Sequence, residues 1–188
     1  QSLGSIFYRE CSDCTESHQL IFYKRISEVG GFSVYDNMVN TWSSEGNELN
    51  TDFELYGSYE DLVAGANKWT YCNYDDDGVA FPRDCGPSSG VANQWNSISA
   101  RFVSNSRENV AFYVLGALTS SFNPTEPQDE PTGVVIYSKG EFGDYEMGAG
   151  MADAMFTDIG AVVKRECPSC IASHRVIYYE RISAIPVG

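Results

Sequence analysis

Cysteine and histidine recur in this chain at one spacing: Cys11-x2-Cys14-x3-His18, then Cys167-x2-Cys170-x3-His174. Two chemistries suit the pattern. Residues three apart in a straight strand lie about 10 Å apart, and a disulfide needs Cα atoms within about 7 Å. A local bond therefore requires a turn, and Ser12-Asp13 and Pro168-Ser169 are good central pairs for one. Alternatively, two thiolates and an imidazole from each copy could contribute to a four-coordinate zinc site. The local disulfides Cys11–Cys14 and Cys167–Cys170 are the preferred reading. The chain is acidic and lacks cytosolic cues, and each histidine begins a strand, where a hydrogen-bonded imidazole is commonplace. A thioredoxin-type redox role is set aside, because no helix is expected after either motif.

Cys72 and Cys85 flank an acidic loop centred on Asp75, Asp76 and Asp77. A disulfide across it would stabilise by about 3 kcal/mol on the chain-entropy estimate. The three carboxylates beside Asn73 could then supply hard oxygen ligands for calcium, although a run of acids is more often a solvated turn. Trp42, Trp69 and Trp95 are candidates for stacking sugar rings, against the plain alternative of core positions. No cofactor is implied. Catalysis finds little footing: the histidines belong to the repeated segment, and no phosphate loop follows a strand. No glycosidase carboxylate pair stands out either. The chain reads as a non-enzyme, with a polysaccharide hydrolase as the remote alternative.

The two Cys/His segments are parts of a longer repeat. Residues 9–27 and 165–183 match at eleven of nineteen positions, displaced by 156. The identities are Arg9, Glu10, Cys11, Cys14, Ser17, His18, Ile21, Tyr23, Arg25, Ile26 and Ser27. This predicts one module over 1–157 and the opening of a second over 158–188. A net charge of −14 with only twelve basic residues disfavours nucleic acid and anionic membranes as partners. No apolar run is long enough to insert in a membrane as a helix. Gln1 reads as the start of a mature or excerpted chain. Six cysteines point to an oxidising compartment, hence a secreted, extracellular protein. The only near-sequon, Asn123-Pro124-Thr125, is spoiled by its proline, so any glycan would be O-linked.

Strands are expected wherever apolar residues alternate. Between Ser17 and Ser27, Leu20, Phe22 and Ile26 face one way while Ile21, Tyr23 and Arg25 face the other. Further strands are expected over 32–35, 49–55, 95–103, 109–116, 134–138 and within 155–164. Ser58 and Asp61 form a capping box for the one expected helix, about 59–67, with Tyr59, Leu62, Ala66 and Trp69 on one face. Residues 123–133 carry three prolines and read as a surface loop. The fold predicted from this spacing is an antiparallel β-sandwich with one short helix.

Gln94-Trp95, Arg101-Phe102-Val103 and Tyr113-Val114-Leu115-Gly116 resemble the strand pair of laminin-G and concanavalin-like jelly rolls. There a tryptophan opens one strand and Tyr-Val-x-Gly closes the next. The resemblance implies a jelly-roll form of the sandwich and carries no functional residue with it. The whole module also resembles uncharacterised secreted repeat modules of algae and protists.

The functional expectation is a structural unit of an extracellular filament or tandem fibre. The chain closes on a fresh copy of its first strands, whose Val176, Ile177, Tyr178, Tyr179 and Ile182 make an apolar edge of the kind normally covered, and these residues with Arg181 are the expected assembly surface. Copies of the protein, joined head to tail, are the expected partner. Two alternatives are kept: a lectin-like polysaccharide-binding module, calcium-assisted, and a monomer in which both copies share one sheet.

Overall fold

A computed structural model describes residues 6–28, 31–98, 106–115, 133–150, 152–153, 162–166 and 176–180. The protein is mainly β. Strands β1 (Ile6–Cys11), β2 (Leu20–Arg25), β3 (Phe53–Tyr56), β4 (Val110–Leu115), β5 (Gly133–Lys139) and β6 (Tyr145–Glu146) form one antiparallel sheet in the order β3-β2-β1-β4-β5-β6. The repeated hairpin β1–β2 thus occupies the middle of the sheet. Its outer edges are held by β4 and β3.

Alternation sends successive strand residues to opposite faces of the sheet, and apolar residues are buried on both. Phe7, Ile21, Tyr23, Phe53, Leu55, Phe112 and Val114 belong to the main core. Ile6, Tyr8, Phe22 and Tyr56 lie in a smaller cluster with Leu62, and Tyr113 packs against it. Helix α1 (Val34–Val39) packs Val34, Tyr35, Met38 and Val39 into the main core, joined there by Trp42, Trp69 and Phe81. Helix α2 (Tyr59–Ala64) contributes Leu62 and Tyr59 to the smaller cluster. The described residues form this six-stranded sheet and one separate two-stranded pair.

Helix α2 appears where it is expected. Ser58 Oγ accepts from the Asp61 amide at 3.1 Å, and Gly65 ends the helix in the left-handed region. Trp69 departs from expectation: beyond Gly65 its amide donates to Leu55 O, and its ring enters the main core instead of continuing the α2 face. Residues 32–35 are not a strand. Ser33 caps α1 by accepting from the Asp36 amide at 3.1 Å, and the apolar positions 34, 35, 38 and 39 follow helical spacing.

The strand expected over 49–55 is confined to β3, with Leu49 making an isolated bridge to Phe53. Residues 95–98 are not a strand either. Asn96 Nδ2 donates to Arg107 O, and Ser97 Oγ donates to Asn40 O, so polar side chains organise that segment. Residues 99–103 and the proline loop 123–133, apart from Gly133, lie outside the described residues.

The second copy forms the same hairpin. Strands β7 (Val162–Glu166) and β8 (Val176–Glu180) pair antiparallel in a separate two-stranded sheet. In the first copy Ile6, Phe7, Tyr8, Arg9 and Glu10 oppose Lys24, Tyr23, Phe22, Ile21 and Leu20. In the second, Val162, Val163, Lys164, Arg165 and Glu166 oppose Glu180, Tyr179, Tyr178, Ile177 and Val176. Each pair is the first-copy pair moved by 156 positions. The two copies do not share a sheet, and among the described residues β7 and β8 pair only with each other.

Candidate functional site

At the closed end of β1–β2, in the connection between the two strands, the chain folds over itself. After Cys11 it turns, with Cys14 N donating to Cys11 O at 3.4 Å, and then makes a 3-10 turn at Glu16–His18 before β2 begins. The turn brings the Cys11 and Cys14 Cα atoms to 5.4 Å, and the two are disulfide-bonded. Cys72 and Cys85 form the second expected disulfide. Cys167, Cys170 and His174 lie outside the described residues.

His18 does not face the cysteines of its own motif. Its Nε2 lies 2.9 Å from Cys85 O, and a carbonyl only accepts, so this nitrogen carries the proton. Nδ1 then accepts from Ser17 Oγ at 2.8 Å. The ring lies against Trp69, with centroids 4.9 Å apart. Burial lowers its pKa to about 4, so the imidazole is neutral at pH 7. His18 therefore joins the hairpin to the Cys72–Cys85 loop. Among the described residues, Cys11, Asp13 and Cys14 are compact enough to hold a metal ion, but both cysteines are committed to the disulfide.

Arg9 lies beneath this turn, fully buried. Its Nη2 donates to Cys14 Sγ at 2.8 Å, while Nε and Nη1 have no hydrogen-bond partner. Cys14 Sγ lies 3.8 Å from Gln94 O, and Gln94 Oε1 accepts from the Thr15 amide at 2.8 Å. Sequence reasoning passed over Arg9 and Gln94. For Arg9 a signal existed, since Arg-x-Cys-x2-Cys occurs in both copies.

The other repeated polar residues also reach outside the hairpin. Glu10 accepts from Tyr113 Oη at 3.1 Å, Tyr23 Oη donates to Asn47 Oδ1 at 2.9 Å, and Ser27 Oγ donates to Asp52 Oδ1 at 2.6 Å. Arg25 donates to Gly46 O at 2.7 Å and to Glu28 O at 3.1 Å, and stands over the Phe32 ring.

The remaining candidates are used within the protein. Asp75 accepts from the Ser44 amide at 2.8 Å and from Ser44 Oγ at 2.6 Å. Burial alone would raise its pKa, yet these bonds hold it below the ordinary value. Asp76 pairs with Arg83, and Asp77 is exposed. The acids thus turn to different partners. Trp42, Trp69 and Trp95 are 0%, 2% and 4% exposed, leaving no indole face for a sugar. Val176, Ile177, Tyr178 and Tyr179 lie on β8, while Arg181 and Ile182 are outside the described residues.

Comparison with protein-family models, with curated proteins and with solved structures finds no match to this chain.

Proposed function

We propose that this protein is a structural unit of an extracellular head-to-tail array in which the β1–β2 hairpin opens each module. The observation that carries this reading is the register of β7–β8, identical to that of β1–β2 after the 156-residue shift. In the first module the hairpin edges are occupied by β3 and β4, while the corresponding edges of β7–β8 carry no strand among the described residues. Exposed edges of this kind are templates for further pairing.

The repeated residues add a second support. Glu10, His18, Tyr23, Arg25 and Ser27 bond to Tyr113, Cys85, Asn47, Gly46 and Asp52, none of which belongs to the repeated segment. An isolated hairpin has no use for Glu166, His174, Tyr179, Arg181 and Ser183. A hairpin seated in a second module does. Contacts between successive modules are heterologous and propagate along one direction. Two disulfides among the described residues suit an oxidising, extracellular setting.

The test is a hybrid in which residues 33–157 are repeated after residue 188, with Glu180→Lys restoring the lysine that Lys24 places opposite Glu54. Residues 158–188 should become resistant to limited proteolysis in the hybrid, and residues 1–157 alone should fold with unchanged stability. If 158–188 are cut as rapidly in the hybrid as in the native chain, the modular reading is wrong.

A further inference from the structure

The environment of Arg9 is poorly matched to the oxidised state of the bond beside it. A guanidinium is charged at neutral pH and needs acceptors when buried. Here it is fully enclosed and donates to a neutral disulfide sulfur, a weak acceptor, with Nε and Nη1 unpartnered. Among the described residues it makes no ion pair. Asp13, the carboxylate whose charge it feels most, instead places Oδ1 at 3.3 Å from Cys11 Sγ and Oδ2 at 3.4 Å from the Glu108 amide. Arg107 is the other charge acting on Arg9, and His18 is the titratable ring that Arg9 acts on.

The two sulfurs are therefore unequal: a cation lies beside Cys14 and a carboxylate beside Cys11. We propose that Cys11–Cys14 is an exchangeable disulfide whose reduced form keeps Cys14 as a thiolate paired with Arg9. A thiolate attacks Cys11 Sγ, the S–S bond breaks, and the electron pair leaves on Cys14. A second thiol then resolves the mixed disulfide at Cys11. In total two thiols are oxidised to one disulfide, and the protein pair takes up two electrons. One proton ends on Cys11 and the other is released, because Cys14 stays ionised.

Arg9 supplies the missing opposite charge to the leaving sulfur, which favours both exchange and the reduced product. Both sulfurs are covered, but Ser12 and Asp13 between them are exposed, so exchange proceeds by local opening of that turn. Among the described residues no cationic side chain donates to a sulfur of Cys72–Cys85, and that pair serves as the internal reference.

The experiment equilibrates the full chain in mixtures of reduced and oxidised glutathione at pH 7, then quenches, alkylates and maps each pair by peptide mass. Cys11–Cys14 should be half reduced in a mixture at least tenfold more oxidising than Cys72–Cys85 requires. Arg9→Gln should move that midpoint at least tenfold towards the reducing side, and Arg9→Lys should recover most of the shift. Equal midpoints for the two pairs, or a midpoint unmoved by Arg9→Gln, overturn the proposal. Should Arg9→Gln fail to fold, Cys11→Ser with Arg9 intact decides. Alkylation of Cys14 should then follow a pKa well below the ordinary value of about 8.5, and an inflection at or above that value overturns the assignment.

Discussion

His18 Nε2 donates to the carbonyl oxygen of Cys85 across 2.9 Å, a hydrogen bond between the repeated hairpin and the disulfide-closed acidic loop. The imidazole must be neutral to fit its site, and its folded pKa of about 4 lies below the unfolded value of 6.5. The unfolded chain therefore binds a proton that the folded chain refuses between these two values. Stability from His18 is complete above pH 6.5 and is lost as the pH falls towards 4, by about 3 kcal/mol at most. Denaturant titrations at pH 7, 5.5 and 4.5 should show the decline, and His18→Gln should flatten it. Parallel pH profiles for both proteins would contradict the neutral, buried assignment.

Trp42 is enclosed by the rings of Tyr23, Phe53, Tyr74 and Phe81. Trp42→Ala should cost about 3–5 kcal/mol by leaving a cavity, read as a lower denaturation midpoint. A sugar-stacking tryptophan would behave differently, losing polysaccharide binding with little change in stability.

Replacing Cys72 and Cys85 together by alanine should lower stability by about 3 kcal/mol, the loop-closure contribution of a disulfide at this separation. Because Cys85 O still accepts from His18, the pH dependence described above should persist in the double variant. Its disappearance would mean that the bond between His18 and the loop depends on the disulfide.

Hydrogen exchange should separate the two hairpins. Amides of β1 and β2 are flanked by β4 and β3, whereas among the described residues β7 and β8 pair only with each other, an arrangement marginal in water. In the 188-residue chain, β1 and β2 amides should exchange on the order of 100-fold more slowly than their β7 and β8 counterparts. Equal protection would show that β7–β8 is held by contacts beyond its own pairing.

Removing either helix cap should be mild and local. Ser33→Ala and Ser58→Ala each take away an acceptor for one first-turn amide, at about 1 kcal/mol. Circular dichroism on thermal unfolding should register each loss. A value near zero for Ser33→Ala would indicate that packing of Met38 and Val39 alone holds α1.

Strands β2, β4 and β5 were legible in the sequence because their alternation has the period of a pleated strand, and α2 because Ser58 and Asp61 cap it. Helix α1 carries the same signal in Ser33 and Asp36, but Phe32-Ser33-Val34-Tyr35 imitates a strand start. Pairing of β1 with β4 was not legible, since nothing local in Phe7 or Arg9 refers to Phe112 or Val114. At the site, the disulfide partners could be read from turn chemistry and loop closure. The burial of Arg9 could not, because a charged residue in a strand ordinarily points to solvent, and only its recurrence in the second copy marked it. The tryptophans could not be sorted between core and surface without knowing what covers the main face of the sheet.

The central position of β1–β2 has a consequence for biosynthesis. The hairpin is synthesised well before its neighbour β4, which arrives about a hundred residues later, so a large loop must close before the sheet is complete. By then the second hairpin follows shortly behind, with the same register, and could be captured in place of the first. Lys24 faces Glu54 across β2 and β3, whereas Glu180 stands at the matching position of β8. In a miscaptured module two carboxylates would oppose each other, a destabilising arrangement. One reversed charge thus makes β8 a poorer neighbour for β3 than β2 is.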